Sequence, residues 1–181
     1  MKRLFSFFMI FTLTALACSL PGKPSAATQP VETAAQPPVT SEAGEFDSSK
    51  IGTVERDVTY CTMDGVELKM DVYYPSSNDG AWPVTMYVHG GGWSSGDKAQ
   101  GAGMLEIPAL QREGFLSVSV NYRLAPEHTF PAMIEDVKCA VRYLRAHASE
   151  YNLDPNKIGV LGGSAGGHLV SLLGTTDASA G

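Results

Sequence analysis

Lys157-Ile158-Gly159-Val160-Leu161-Gly162-Gly163-Ser164-Ala165-Gly166-Gly167-His168-Leu169 is the stretch that decides the fold. It opens as a short apolar, β-branched run over 157–162. It then passes through a cluster of small residues and continues as a helical pattern over 165–173. Ser164 stands at the joint, inside a G-x-S-x-G pattern that runs from Gly162 to Gly166. A strand, a sharp turn on a serine and a helix make a nucleophile elbow. Its neighbours must be small because the turn is cramped. The arrangement lifts the Ser164 hydroxyl above the sheet. It also aims the backbone N–H of Ala165, at the helix start, where negative charge would develop. A phosphate-binding turn is the competing reading, but no lysine follows the glycines as a P-loop needs, and the dinucleotide-binding spacing is absent.

Upstream, strand and helix patterns alternate. Residues 54–62 and 66–74 are β-rich runs separated by Met63-Asp64-Gly65, and an Asp-Gly between two such runs predicts a hairpin. Residues 82–89 and 115–121 read as further strands. Residues 101–113 read as a helix interrupted at Pro108. The strongest helix is 133–147, where Met133, Val137, Ala140, Val141 and Leu144 fall on one stripe. An antiparallel start followed by β-α-β-α-β-α predicts an α/β fold. Its sheet should be mostly parallel, with an antiparallel N-terminal hairpin and helices on both faces. In such sheets chemistry collects at the carboxyl ends of strands.

A second glycine cluster falls at such an end. His89-Gly90-Gly91-Gly92-Trp93 follows the 82–89 strand. Bare glycine backbone approaches a substrate oxygen closely, so the N–H groups of Gly91 and Gly92 are the candidate partners of Ala165 in an oxyanion hole. Trp93 is expected beneath or beside this loop. The alternative is a plain tight turn. The two clusters, with Asn121-Tyr122-Arg123-Leu124-Ala125-Pro126-Glu127-His128, Phe130-Pro131-Ala132 and Asp154-Pro155-Asn156-Lys157 between them, resemble the α/β-hydrolase superfamily. The resemblance is to the esterase/lipase group related to hormone-sensitive lipase and to bacterial feruloyl and acetyl esterases. It runs from about residue 54 to 176. It implies ester hydrolysis through an acyl-enzyme on a small-molecule ester substrate, with Ser164 as nucleophile and with no metal and no cofactor. A serine peptidase on the same fold and a non-catalytic binding module are the alternatives.

The superfamily orders its triad as Ser, then Asp or Glu, then His. After Ser164 stand one acid, Asp177, and one histidine, His168, and no histidine follows Asp177. His168 is directed along the helix rather than over the hydroxyl. His89 belongs to the oxyanion loop, and His128 and His147 read as loop and helix-surface residues. The chain is therefore expected to be the N-terminal part of a hydrolase domain, truncated before the triad acid and histidine. It would be inactive by itself and would carry an exposed sheet edge. Cys61 and Cys139 are expected as free or buried thiols, although export would permit a disulfide.

The first 50 residues read as address and tether. Lys2 and Arg3 precede an apolar stretch from Leu4 to Ala17 that is short for a membrane span. Thr14-Ala15-Leu16-Ala17-Cys18 resembles a bacterial lipoprotein signal, with 1–17 removed and Cys18 lipidated. Cleavage after Ala17 without lipid is the alternative. Residues 19–50 hold Pro21, Pro24, Pro30, Pro37 and Pro38 and few large apolar side chains, which predicts a disordered spacer. The domain would then occupy 51–181 at a cell-envelope membrane surface. The 181 residues carry 13 basic and 19 acidic side chains, a net charge of −6, without a basic run. That excludes a nucleic-acid partner. No CxxC or HExxH pattern predicts a zinc site. Nothing in the sequence bears on oligomeric state.

Overall fold

The computed structural model describes residues 46–77 and 79–176. The signal, Cys18 and most of the spacer lie outside these residues, as does Asp177.

Five strands form one mixed sheet: β1 (Val54–Met63), β2 (Val66–Tyr73), β3 (Trp82–Val88), β4 (Leu116–Val120) and β5 (Leu153–Gly162), in the spatial order β1-β2-β4-β3-β5. β1 and β2 are the expected hairpin. Asp64 and Gly65 take φ of 50° and 80° at its tip, as a two-residue hairpin turn of the primed type requires. β2 also pairs antiparallel with β4, while β4, β3 and β5 run parallel. The chain goes from β3 outward to β4, then crosses back over β3 to β5. The crevice where the order reverses lies at the carboxyl ends of β3 and β5, which is where ligands bind in open sheets of this kind.

Three helices follow the sequence pattern: α1 (Ile107–Arg112), α2 (Ala132–Ala146) and α3 (Ala165–Thr175). Side-chain alternation along β3 separates two layers. Val84, Met86 and Val88 join one core with Val137, Leu144 and Leu169 of α2 and α3. Tyr87 faces the other way, under Gly103 of a 3₁₀ turn at Ala102–Leu105. Pro108 does not interrupt a helix. It sits in the first turn of α1, where its missing N–H costs nothing, and the residues before it form the 3₁₀ turn. β5 begins earlier than expected because Leu153 pairs with Trp82 before a register shift.

Two further corrections concern the edges of the domain. Residues 46–50, which composition assigns to the spacer, pack onto it. Phe46 stands edge-on to Trp82 at 5.0 Å, and Lys50 pairs with Glu55 at 3.0 Å. Cys61 and Cys139 are not free thiols: they form a disulfide between β1 and α2, with Cα atoms 6.5 Å apart. Cys139 is off the apolar stripe of its helix, yet that flank turns toward β1, which the sequence pattern alone does not show. At the opposite side β5 is the last strand of the sheet among the described residues. Ile158 and Val160 of that strand line a shallow cavity with Val170 and Leu173 of α3.

Candidate active site

Ser164 lies between the last residues of β5 and the first of α3 with φ 51° and ψ −117°. A non-glycine residue there is strained by about 1–3 kcal/mol. The strain persists because both flanks are packed. A Cβ on Gly162 would meet the Gly166 carbonyl carbon at 2.5 Å, and one on Gly166 would meet the His89 carbonyl oxygen at 2.5 Å. Only glycine lets α3 begin this close to β5 and to the end of β3. Ser164 is exposed, and its side chain does not cap the helix it precedes. The Gly166 N–H donates to the Gly163 carbonyl at 2.9 Å and the His168 N–H to the Ser164 carbonyl at 3.1 Å. Ala165, at the first helical position, has no acceptor for its N–H within the helix.

The loop after β3 meets this turn. A Cβ on Gly90 would come within 3.3 Å of the Ser164 Cβ and 2.8 Å of the Gly163 carbonyl oxygen, so the two glycine clusters are in contact. Gly91, Gly92 and Trp93 follow with φ of 118°, 61° and 61°. Within this run the Gly91 carbonyl accepts from the Ser94 and Ser95 N–H groups at 3.2 and 3.1 Å, which closes the turn. The Trp93 carbonyl accepts from the Ala125 N–H at 2.8 Å, which ties the loop to the 121–128 segment.

His89 lies under the loop. It is buried, stacked on Tyr122 with ring centroids 4.3 Å apart, and its Nδ1–H donates to the Gly90 carbonyl at 2.7 Å. Burial holds its pKa below the usual histidine value, outweighing the Gly90 bond and the nearby Asp97 charge. It is therefore a neutral prop for the glycines. His168 is exposed on α3, edge-on to Trp93 at 5.3 Å. His147 is stacked on Tyr143, with Nδ1 bonded to that residue's carbonyl. Among the described residues no histidine is hydrogen-bonded to the Ser164 hydroxyl.

An open cavity of about 360 Å³ lies beside the turn, lined mainly by Gly92, Trp93, Phe130, Met133, His168 and Leu169. Of the two expected places, Trp93 takes the one beside the loop, 39% exposed at this wall, and Phe130 is 68% exposed. The cavity was not read from sequence. Met133 fits the apolar stripe of its helix, and its position at the amino end of α2 is what brings it to the opening. Arg123, in the 121–128 segment, is structural. It is buried with Asp136 at 2.7 Å, and the Asp136 bonds raise its pKa against the opposing effect of burial. Among the described residues no cluster of three or more His, Cys, Asp or Glu side chains is disposed to hold a metal ion. No helix among them is long and apolar enough to cross a membrane.

Comparison with known proteins agrees with this geometry. The BD-FAE family model matches residues 70–180. The carboxylesterase NlhH of Mycobacterium tuberculosis is 39% identical over 120 residues, which cover 66% of this chain and 36% of that protein. The esterase LipC of the same organism is 44% identical over 95 residues, covering 52% and 23%. Among solved structures, butyrate-bound esterase 2 of Thermogutta terrifontis superposes with a TM-score of 0.61 at 32% identity, covering 66% of this chain and 43% of that one. The chain thus spans less than half the length of these relatives. Their shared sheet and the family match place it firmly: the chain belongs to the BD-FAE family, within the α/β-hydrolase esterase group.

Proposed function

We propose that the chain carries the nucleophile and oxyanion half of a serine carboxylic-ester hydrolase. The observation that carries this reading is the strained, exposed Ser164 between packed glycines, in contact with the Gly90–Gly92 loop. The Ser164 Oγ attacks the ester carbonyl carbon while its proton passes to a base. The carbonyl oxygen becomes an oxyanion facing the N–H groups of Gly91, Gly92 and Ala165. The tetrahedral intermediate collapses, the alcohol leaves with the proton, and water then releases the acid from the acyl-enzyme. The base and its orienting acid come from outside the described residues. The apolar cavity beside Gly92 suits an alkyl or aryl arm of a small ester, and the butyrate held by the Thermogutta esterase supports that class. A carbohydrate-linked ester is the other substrate class within this reading.

The cellular setting is also a proposal. The 1–17 signal and the Cys18 lipobox support export and a lipid anchor. The disulfide supports an oxidising compartment.

A fluorophosphonate tests the chemistry. Covalent capture at Ser164 is expected where a base is supplied to its hydroxyl, with capture abolished by Ser164→Ala. A wild-type protein that binds an aryl butyrate but takes no adduct with a base supplied would instead be a non-catalytic binding module. Cleavage of peptide substrates in preference to esters would favour a peptidase.

A further inference from the structure

The loop that bears Gly91 and Gly92 is gripped at its far end by a partly buried polar frame. It leaves β3 at Val88 and is held again at Asp97 and Lys98. Asn121, just past β4, makes two bonds there. Its Oδ1 accepts from the Lys98 N–H at 2.5 Å, and its Nδ2 donates to Asp97 Oδ2 at 3.0 Å. Ser119, buried on β4, donates its hydroxyl to the Lys98 carbonyl. The Lys98 side chain, itself buried, ends between Asp71 Oδ1 and Asp57 Oδ1, each at 2.9 Å. Asp71 on β2 is fully buried and also accepts from the Asp57 N–H at 3.0 Å and from Arg56 at 2.8 Å. Asp57 takes φ 57° at a register irregularity between β1 and β2, a left-handed backbone in a non-glycine residue. Asn121 is itself pinned, its N–H donating to the Lys69 carbonyl at 2.9 Å and its carbonyl accepting from the Tyr60 hydroxyl at 2.5 Å.

Joining a loop to a sheet does not require a buried ion pair, since apolar packing of the same volume is often as stable. A hydrogen-bonded frame fixes direction, which packing does less well. The loop's own bonds to the Gly91 carbonyl close its turn, and the Trp93–Ala125 bond ties it to the 121–128 segment, but neither joins its far end to the sheet. Gly90, Gly91, Gly92 and Gly96 give it more backbone freedom than any other residue type would. The His89 ring steadies the near end through the Gly90 carbonyl. Nothing in the glycines themselves would hold the N–H groups on one line.

We propose that Asn121, acting with the Lys98–Asp71 pair, is a positioning residue that closes the glycine loop and aims the Gly91 and Gly92 N–H groups before an ester arrives. The inference rests on the esterase reading for its purpose, but the restraint is measurable without turnover. In the full chain, ¹⁵N relaxation is expected to give Gly91 and Gly92 order parameters near about 0.85. Asn121→Asp keeps an acceptor for the Lys98 N–H but sets a second carboxylate against Asp97. Both glycines should then fall below about 0.6, with β3 and α3 unchanged. Adding Asp97→Asn to Asn121→Asp exchanges the two groups, puts one donor opposite one acceptor again, and should restore both glycines. Three results would overturn the proposal: unchanged glycines in the single variant, order lost across the whole sheet, or no recovery in the exchanged pair. Failure of Ser164 to take a phosphonate with a base supplied would instead overturn the esterase reading and leave this result standing.

Discussion

At the scale of single residues, the site is built on glycines that tolerate contact and on one histidine that does no acid–base work. The neutral state of His89 follows from its place: burial disfavours its charge, and its one bonded nitrogen faces a carbonyl. The sign of the pH effect follows. The folded-state pKa lies below the unfolded value near about 6.5, so the unfolded chain binds the proton first. Stability from this group is fully present above that value and is lost as pH falls through the window down to the depressed folded pKa. Denaturant midpoints measured from pH 7 to pH 5 should decline, and His89→Asn should flatten the decline. An equally steep slope in the variant would show that other groups carry it. The sequence shows that His89 begins the glycine loop. It does not show that the ring is spent on Gly90, because the stacking partner Tyr122 comes from a distant strand end.

At the scale of elements, hydrophobic period and turn chemistry made the hairpin, β3, β4, α2 and α3 legible. Asp64-Gly65 needed only its positive φ values, and the stripe on α2 needed only the helical repeat. What stayed hidden depends on which elements touch. The Cys61–Cys139 bridge joins β1 to the flank of α2 across 78 residues of sequence. Closing a loop of that length removes unfolded-state entropy worth roughly 4 kcal/mol. Cys139→Ser is therefore expected to lower unfolding stability by about that amount, read as a fall in the urea midpoint, with the slope rising as the unfolded chain, no longer cross-linked, exposes more surface. Two alkylatable thiols in the unreduced wild-type chain would contradict the bridge.

At the scale of the whole molecule, residues some seventy positions apart in sequence meet because β3 lies between β4 and β5. The crossover that sets this order places both glycine clusters at one crevice. That much followed from the strand–turn–helix pattern around Ser164 and from the loop after β3. The cavity walled by Trp93 and Phe130 did not, because it arises where the 121–131 segment passes α3, a contact no local pattern encodes. The account stands on the two bends cradling a single developing charge. The most direct measurement is a crystal structure of the chain after reaction with a fluorophosphonate. The account predicts phosphorus on the Ser164 Oγ, with its free oxygen about 2.7–3.1 Å from the backbone nitrogens of Ala165 and of Gly91 or Gly92. An adduct whose oxygen points away from these nitrogens, or one formed on another residue, would contradict it.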